Sequence, residues 1–330
     1  MTPNRVHLIS HANPLGPDVA RFGFAGLREY VAFIRRHLPA DLRLTCNRTL
    51  LGAVEDEWHG GRSDDDLRVR DLQGALRDPR TLAIVASNGG GYFSRLLPHI
   101  DFSVLSKRRT PLWALGFSEM TTLVNHVARY RCGRGLYWLC PNWLAWRIRP
   151  VQAAQAALAE FCRTLPDVLQ DRTPRDLRFL DFGPIRGECV CGRARSGTVR
   201  LIGGCLAVLA SALPGPLGRR LRPDGKWLML EDVKETPYRI DRFLAALKLA
   251  GWFERVAGVL VGDFRMMHAD TQPAVVELLR YHLPASRGVP VVTTRSFGHV
   301  WPMTPVLLNR PVRLEARGRT VTIWAGGVDV

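Results

Sequence analysis

The sequence predicts an α/β fold in which an N-terminal domain built on a parallel sheet precedes a β-rich α+β domain. The chain has 330 residues, which at roughly 150 residues per domain amounts to about two domains. The first half alternates strand-like and helix-like segments, the pattern of a parallel sheet flanked by helices. The second half opens, at residues 173–201, with short alternating runs rich in arginine and glycine, which are typical of antiparallel strands and turns.

The first two predicted strands are each followed by a predicted helix. Residues 6–10 are a short apolar run and predict a buried strand. Residues 25–38 predict a helix because apolar side chains recur every three or four positions. Residues 42–46 predict the next strand. Residues 63–76 predict a helix because the first turn is acidic, and negative charge is favourable beside the unpaired N–H groups of a helix start.

The rest of the first half continues the same alternation. Residues 81–86 predict a strand, which leads into three consecutive glycines. Residues 112–117 predict a further strand, and residues 119–131 predict the helix after it. Residues 151–165 are rich in alanine and predict a long helix. The first domain is therefore predicted to span residues 1–165.

The second half is predicted to contain more strands than helices. Residues 166–174 are bounded by prolines and predict the interdomain linker, so that the second domain spans residues 175–330. Short alternating runs within residues 173–201 predict antiparallel strands. The further predicted strands are 227–230, 256–261, 289–293, 312–315 and 321–324, and the predicted helices are 238–249 and 272–282.

The charge balance is strongly basic. Lys and Arg together number 46 against 30 Asp and Glu, which gives a net charge of +16. Such a balance is found in nucleic-acid-binding proteins, but these bind through clustered charge. Here all but four of the basic residues are arginines, and they are scattered over the chain in short runs. We therefore expect no nucleic-acid partner, and a basic nucleic-acid-binding protein is only a distant alternative.

The cysteines and the apolar runs bear on compartment and cofactors. Seven cysteines stand at irregular spacings, and residues 1–10 lack the charged start and long apolar run of a secretory signal. The longest apolar run, residues 201–213, is too short to span a bilayer. We therefore expect a cytoplasmic protein with no membrane partner. Cys189 and Cys191 have no second pair at metal-binding spacing, so we expect no metal and no cofactor.

The segment Gly116-Phe117-Ser118-Glu119 carries the sharpest chemical signal. A strand enters it and a helix leaves it, and a sharp Gly-x-Ser turn at that point lifts the serine hydroxyl out of the sheet, as in a nucleophile elbow. The N–H of Glu119 would then point at a developing oxyanion. Met120 stands where such elbows usually have a second glycine. The alternative is that Ser118 only caps the helix.

Three further features could complete a site around a nucleophilic serine. The loop from Asn88 to Tyr92 contains three glycines at a strand's carboxyl end, where a ligand can approach the backbone, or it is an ordinary turn. A serine nucleophile needs a base, and the base needs an orienting group. His299 follows a loop glycine and Glu231 ends an apolar strand. The alternatives are a surface histidine and an acid that caps a helix.

Taken together, these segments resemble the LD-carboxypeptidase family of serine peptidases, which includes the microcin C immunity peptidases. The resemblance is carried by several blocks that follow the family's order and cover most of the chain. These blocks are residues 61–79, 89–101, 116–123 and 230–247, followed by 258–264 and by Gly298-His299.

The resemblance implies a catalytic triad with Ser118 as the nucleophile, His299 as the general base and Glu231 as the group that orients the imidazole. It also implies an oxyanion hole made by the N–H of Glu119 and an N–H of the glycine loop, at Gly90 or Gly91. The implied architecture is a flavodoxin/amidotransferase-like N-terminal domain carrying the serine. A β-rich C-terminal domain carries the acid and the base.

The resemblance further implies the reaction and the partners. The family hydrolyses an amide between an L- and a D-configured centre, typically releasing terminal D-alanine from murein tetrapeptides during cytoplasmic cell-wall recycling. The microcin branch instead cleaves peptidyl or aminoacyl nucleotides. A small peptide substrate is therefore expected for this chain, and family members are often homodimers, which is the state expected here.

Departures from the family pattern fall in segments expected to contact the substrate. Asn88 stands where the family usually has arginine, Glu119 replaces the usual aspartate, and Cys205 replaces the usual asparagine. Asn88, Tyr92 and Trp143 are predicted to contact the substrate, although Trp143 could equally belong to the core or to a dimer contact. These departures leave open whether the substrate is a murein tetrapeptide or a nucleotide-linked peptide.

Overall fold

The computed structural model describes residues 2–54, 56 and 60–324. The chain divides into two compact units, Met1–Leu180 and Asp181–Val330. Met1 and residues 325–330, which the predicted domains include, lie outside the described residues. The predicted fold class is confirmed, since a parallel sheet forms in the first unit and a strand-rich α+β arrangement forms in the second.

A parallel sheet lies at the centre of the first unit. Its strands within that unit are β1 (Arg5–Ile9), β2 (Arg43–Cys46), β3 (Thr81–Ala86), β4 (Leu112–Gly116) and β5 (Gly133–Tyr137). They are ordered β5-β4-β3-β1-β2, and each neighbouring pair is parallel. Because parallel strands end at the same edge of a sheet, the loops after β1, β3 and β4 lie near one another.

Seven helices accompany these strands in the described part of the first unit. They are α1 (Gly16–Arg21), α2 (Leu27–His37), α3 (Arg48–Leu51), α4 (Asp65–Arg77), α5 (Thr121–Ala128), α6 (Leu144–Arg147) and α7 (Val151–Val168). Short 3₁₀ segments lie at Ser94–His99, Phe102–Lys107, Ser118–Met120 and Pro141–Trp143.

Strand β5 is absent from the sequence-based prediction, because Gly133 and Gly135 resemble turn residues. In the structure they serve close packing instead. A Cβ at position 133 would lie 1.9 Å from the carbonyl oxygen of Val127, and one at position 135 would lie 2.1 Å from that of Val124. The two glycines therefore let helix α5 pack directly against β5.

The predicted linker at residues 166–174 belongs to the first unit. Its first residues are helical, because α7 continues through Pro166 to Val168, and Leu165 and Val168 are buried along it. The Glu160 carboxylate on α7 then accepts hydrogen bonds from the N–H groups of residues 178–180. These bonds tie the segment after the helix to α7, and the division between the units comes after Leu180.

The second unit is built around one mixed sheet. Its strands are β6 (Ile185–Cys191), β7 (Gly197–Cys205), β8 (Trp227–Val233), β9 (Gly258–Met266), β10 (Ala269–Asp270), β11 (Val291–Thr294), β13 (Pro311–Arg317) and β14 (Thr320–Trp324), and the unit also contains the short strand β12 (Val306–Leu308), which is not part of this sheet. The order is β10-β9-β11-β6-β14-β13-β7-β8, and β8 also pairs with β9, which closes the sheet on itself. The pairs β7–β8, β8–β9 and β9–β11 are parallel. The antiparallel strands predicted within residues 173–201 are confirmed, since β6 pairs antiparallel with β11 and β14, and β7 with β13.

The helices of the second unit help to build its core. They are α8 (Leu206–Ala212), α9 (Pro216–Arg220), α10 (Pro237–Leu249) and α11 (Gln272–His282), with a 3₁₀ turn at Ala285–Arg287. Leu228 and Leu230 of β8 are buried in one cluster with Leu244 of α10 and Leu279 of α11. Each such side chain stabilises the fold by about 1.5–3 kcal/mol. The packing therefore holds β8 firmly just before Glu231.

Within the described part of the chain, no helix has both the length and the apolar character needed to cross a membrane.

Candidate functional site

Ser118 lies in a strained turn directly after β4. Its φ angle is +58°, a left-handed conformation that costs a non-glycine residue roughly 1–3 kcal/mol. The turn is tight at Gly116, where a Cβ would lie 2.9 Å from the Cβ of Met120 and 3.1 Å from that of Ala86. Strain of this kind, between a parallel strand and a helix, is the geometry of a nucleophile elbow.

The helix-cap alternative does not describe Ser118. The N-cap of the 3₁₀ turn Ser118–Met120 is Phe117, and the N-cap of α5 is Met120. The Ser118 N–H donates a hydrogen bond to Tyr137 Oη at 3.2 Å, and the Ser118 carbonyl oxygen accepts one from Thr121 Oγ1 at 2.6 Å. These two bonds fix the backbone of the turn between β5 and α5.

The glycine loop after β3 lies against the serine. A Cβ at position 89 would lie 3.2 Å from Ser118 Cβ and 3.5 Å from Ser118 Oγ. Gly90 has a φ of +119°, and a Cβ there would lie 2.0 Å from Asn13 Oδ1. The Gly91 N–H, one of the predicted oxyanion donors, donates to Asn13 Oδ1 at 2.9 Å.

Asn13 is a residue of this loop cluster that the sequence reasoning missed. Besides accepting the bond from Gly91, it donates its own backbone N–H to the Gly89 carbonyl oxygen at 3.1 Å. The available signal was topological, since a polar residue after β1 faces the loop after β3 once those strands are neighbours. Strand order is not visible in the sequence, so the contact was not predicted.

Asn88 helps to anchor the loop through its side chain. Its Nδ2 donates to Asp18 Oδ2 at 2.8 Å and to the Pro14 carbonyl oxygen at 3.2 Å. Asp18 is itself buried, and its Oδ1 accepts a bond from Trp146 Nε1 at 2.8 Å. The Asn88 amide nitrogen therefore anchors the glycine loop. The substrate contact expected of this residue stays a prediction.

The aromatic side chains Trp138, Trp143 and Tyr92 lie in different environments. Trp138 is fully buried and stacks on Phe161 with ring centroids 5.1 Å apart, so it belongs to the core. Trp143 is partly exposed and lies edge-on to the ring of Phe117, the residue before the serine, at 5.4 Å. Tyr92 packs its ring against Gly61. Trp143 is thus placed beside the serine turn.

In the second unit, Glu231 and His299 meet in a hydrogen bond although they are 68 residues apart. His299 Nδ1 lies 2.7 Å from Glu231 Oε2, the glutamate side chain is fully buried, and the imidazole is about one-tenth exposed. A buried carboxylate on Nδ1 selects the tautomer whose Nε2 accepts a proton. The pair therefore has the geometry of a base with its orienting acid.

Gly298 makes this close approach possible. Its φ is +108°, and a Cβ there would lie 2.9 Å from Glu231 Oε2 and 3.0 Å from Glu231 Cβ. We expect Gly298→Ala to separate the imidazole from the carboxylate and to lower kcat about 10–100-fold. Steady-state kinetics on the purified variant would measure this.

The matched control is Gly318→Ala, because Gly318 has a φ of +61° and no neighbouring atom within 4 Å of a Cβ. It also places an alanine at a positive φ, but without the collision. The steric explanation fails if the two alanine variants lose activity to the same extent.

Asp232, the next residue, has a separate role. Its carboxylate accepts bonds from the N–H of Ala207 at the start of α8 and from its own neighbour Val233, each at 2.8 Å. Burial, and then the charge of Glu231, raise the pKa of Asp232 to about 7. The two acidic residues at the end of β8 therefore have different roles. Glu231 binds His299, and Asp232 caps helix α8.

This shift predicts a pH dependence of stability. Between pH values of about 4 and 7 the folded protein retains a proton on Asp232 that the unfolded chain releases, so the free energy of unfolding falls as pH rises through that window. Urea unfolding at pH 5 and pH 8 should show a smaller fall for Asp232→Asn than for the wild type. Asp66→Asn, at an exposed position, is the control. If the free energy of unfolding fell equally in all three proteins, the raised pKa of Asp232 would be contradicted.

The described residues contain no group of three or more His, Cys, Asp or Glu side chains that could hold a metal ion.

The sequence is similar to known carboxypeptidases over most of its length. Residues 6–134 match the model of the LD-carboxypeptidase N-terminal domain, and residues 198–314 match that of the C-terminal domain. A Streptomyces coelicolor protein whose name describes a carboxypeptidase is 31% identical over 268 residues, covering 78% of this chain and 76% of that protein. The murein tetrapeptide carboxypeptidase of Pseudomonas aeruginosa is 26% identical over 307 residues, covering 86% of this chain and 88% of that protein.

Two solved structures share the fold. The MccF-like protein from Bacillus anthracis superimposes with a TM-score of 0.70 at 16% identity, covering 98% of both chains. MccF in complex with glutamyl sulfamoyl guanosine superimposes with a TM-score of 0.66 at 16% identity, covering 100% of this chain and 98% of that one.

Fold, serine turn and sequence matches together define a serine-type carboxypeptidase. The chain belongs to the LD-carboxypeptidase family.

Proposed function

We propose that Ser118, His299 and Glu231 act together as a catalytic triad. The observation that carries the proposal is the buried 2.7 Å hydrogen bond between His299 Nδ1 and Glu231 Oε2. The strained conformation of Ser118 supports it, because the same backbone in other hydrolases presents a nucleophile.

In the proposed reaction, Ser118 Oγ attacks the carbonyl carbon of the scissile amide while His299 Nε2 takes the hydroxyl proton. The N–H groups of Glu119 and Gly90 are the proposed donors to the oxyanion that forms. When the C–N bond breaks, His299 returns the proton to the leaving amine. Water then hydrolyses the acyl-enzyme with His299 again acting as base, which regenerates the serine.

The proposed substrate is a murein tetrapeptide, from which the enzyme would release terminal D-alanine during cytoplasmic cell-wall recycling. The name of the Pseudomonas aeruginosa relative supports this proposal. A second candidate is a nucleotide-linked peptide or amino acid, supported by the complex of MccF with glutamyl sulfamoyl guanosine. For either substrate we propose that the working state is a homodimer.

A direct comparison of two substrates tests this proposal. Purified enzyme is incubated with murein tetrapeptide and, separately, with an aminoacyl sulfamoyl adenylate, and kcat/KM is measured for each. The murein proposal predicts D-alanine release at a kcat/KM at least about tenfold above that for the adenylate, a difference of about 1.4 kcal/mol. The reverse ratio would assign the chain to the second candidate, and turnover of neither would reject both.

A further inference from the structure

The side chain of Glu119 makes contacts that the proposed mechanism, which uses only its backbone N–H, leaves unexplained. The side chain is largely buried. Its Oε1 accepts hydrogen bonds from the Phe93 N–H at 2.9 Å, the Ser94 N–H at 2.8 Å and the Ser94 hydroxyl at 3.0 Å. One carboxylate oxygen thus receives all three donors, at the end of the glycine loop.

These bonds connect the far end of the glycine loop to the serine turn, which the near end of the loop also contacts. The loop begins beside the serine, because a Cβ at Gly89 would lie 3.2 Å from the Cβ of Ser118. It ends at Phe93 and Ser94, which are bound by the residue that directly follows Ser118. A shift of the Glu119 side chain therefore changes the spacing between the loop and the serine hydroxyl.

We propose that the Glu119 side chain is a positioning residue that holds the glycine loop against Ser118 and so sets the spacing of the two oxyanion donors. The inference rests on the proposed function, in which Gly90 and the Glu119 N–H serve as those donors. One residue would then contribute to both halves of the oxyanion hole, through its backbone on one side and its carboxylate on the other.

The surroundings of the Glu119 carboxyl group agree with this role. Burial raises the pKa of its carboxyl group, against the lowering effect of the Ser94 and Phe93 bonds and of the Arg68 guanidinium on α4. A carboxyl oxygen can accept these bonds whether or not the group carries charge. An amide oxygen can accept them too, so glutamine should replace glutamate here.

The chain contains a matched control for this contact. Glu160 is also largely buried and also accepts three bonds, from the N–H groups of Arg178, Phe179 and Leu180 at 2.9–3.0 Å. It lies on α7, and its bonds involve neither the serine turn nor the glycine loop. Glu160→Ala therefore removes the same kind of anchor without touching the oxyanion donors.

The kinetic test compares three variants on the tetrapeptide. Glu119→Ala should lower kcat about 100-fold, the typical effect of losing an oxyanion donor, with KM changed less than about threefold. Glu119→Gln should stay within about fivefold of the wild type, and Glu160→Ala within about twofold. A purely structural role predicts instead that Glu119→Ala and Glu160→Ala behave alike.

Hydrogen exchange gives a second readout that needs no substrate. Amides of residues 88–94 should exchange faster in Glu119→Ala than in the wild type, and at wild-type rates in Glu119→Gln and Glu160→Ala. Unchanged exchange in Glu119→Ala, or a glutamine variant as impaired as the alanine variant, would overturn the inference. Failure of the proposed function looks different, because the wild type itself would then release no D-alanine while the exchange comparison would still decide the positioning role.

Discussion

Replacing Ser118 with alanine should lower kcat/KM by about three orders of magnitude or more while the fold survives. The loss follows from removing the atom that attacks the amide. The fold should survive because alanine keeps the Cβ of serine, so the strain of the turn at φ +58° is unchanged. Continuous assay of D-alanine release, with a thermal unfolding curve for each protein, measures both effects.

The control for this substitution is Ser106→Ala. Ser106 is an exposed serine of the first unit whose hydroxyl donates to the Ser103 carbonyl oxygen at 2.6 Å. This variant should retain wild-type kcat/KM. Wild-type turnover by Ser118→Ala would remove the serine from the mechanism.

The second large effect is expected for Glu231→Gln, with a fall in kcat of about 10³–10⁴-fold. A neutral amide cannot stabilise the imidazolium that forms when His299 accepts the serine proton, and its NH₂ group favours the wrong imidazole tautomer. Because the Glu231 side chain is fully buried, no solvent replaces the lost charge. KM should change little, since the carboxylate is fully buried against the histidine.

Glu277→Gln provides the comparison for that experiment. Glu277 lies on α11 with its side chain 67% exposed and pairs with Arg280, so its neutralisation should leave kcat unchanged. If Glu231→Gln retained more than about a tenth of wild-type kcat, an orienting carboxylate would not be part of the mechanism.

The sequence predicted the first unit well where apolar runs coincide with strands. β1, β3 and β4 are buried, apolar segments of the kind that a parallel sheet requires, and each was predicted within a residue or two. β5 was missed because Gly133 and Gly135, which permit close helix packing, look like turn residues. Local pattern cannot distinguish these two uses of glycine.

In the second unit, the predicted elements were nearly right, and the sequence left the pairing of the later strands open. Predicted strands at 227–230 and 256–261 with a helix between them correspond to β8, α10 and β9. A strand-helix-strand series of this kind favours parallel pairing, which β8 and β9 show. Residues 173–201 were predicted to form antiparallel strands, and there β6 pairs antiparallel with β11 and β14, and the first part of β7 with β13.

The candidate site was predicted unevenly for a physical reason. Ser118, Glu231 and His299 could be singled out because each stands at the end of a strand or beside a loop glycine. The roles of Asn13 and of the Glu119 carboxylate depend on which loops are neighbours in space. That information comes from strand order and close packing, which single-sequence patterns do not contain.

The central claim, that Ser118 is an activated nucleophile, is tested most directly by covalent labelling. The enzyme is treated with a fluorophosphonate probe, and the modified residue is located by tandem mass spectrometry of its peptides. The account predicts one adduct per chain, on Ser118, absent from Ser118→Ala and formed more slowly in Glu231→Gln. An adduct on another residue, or labelling of Ser118→Ala at the wild-type rate, would contradict it.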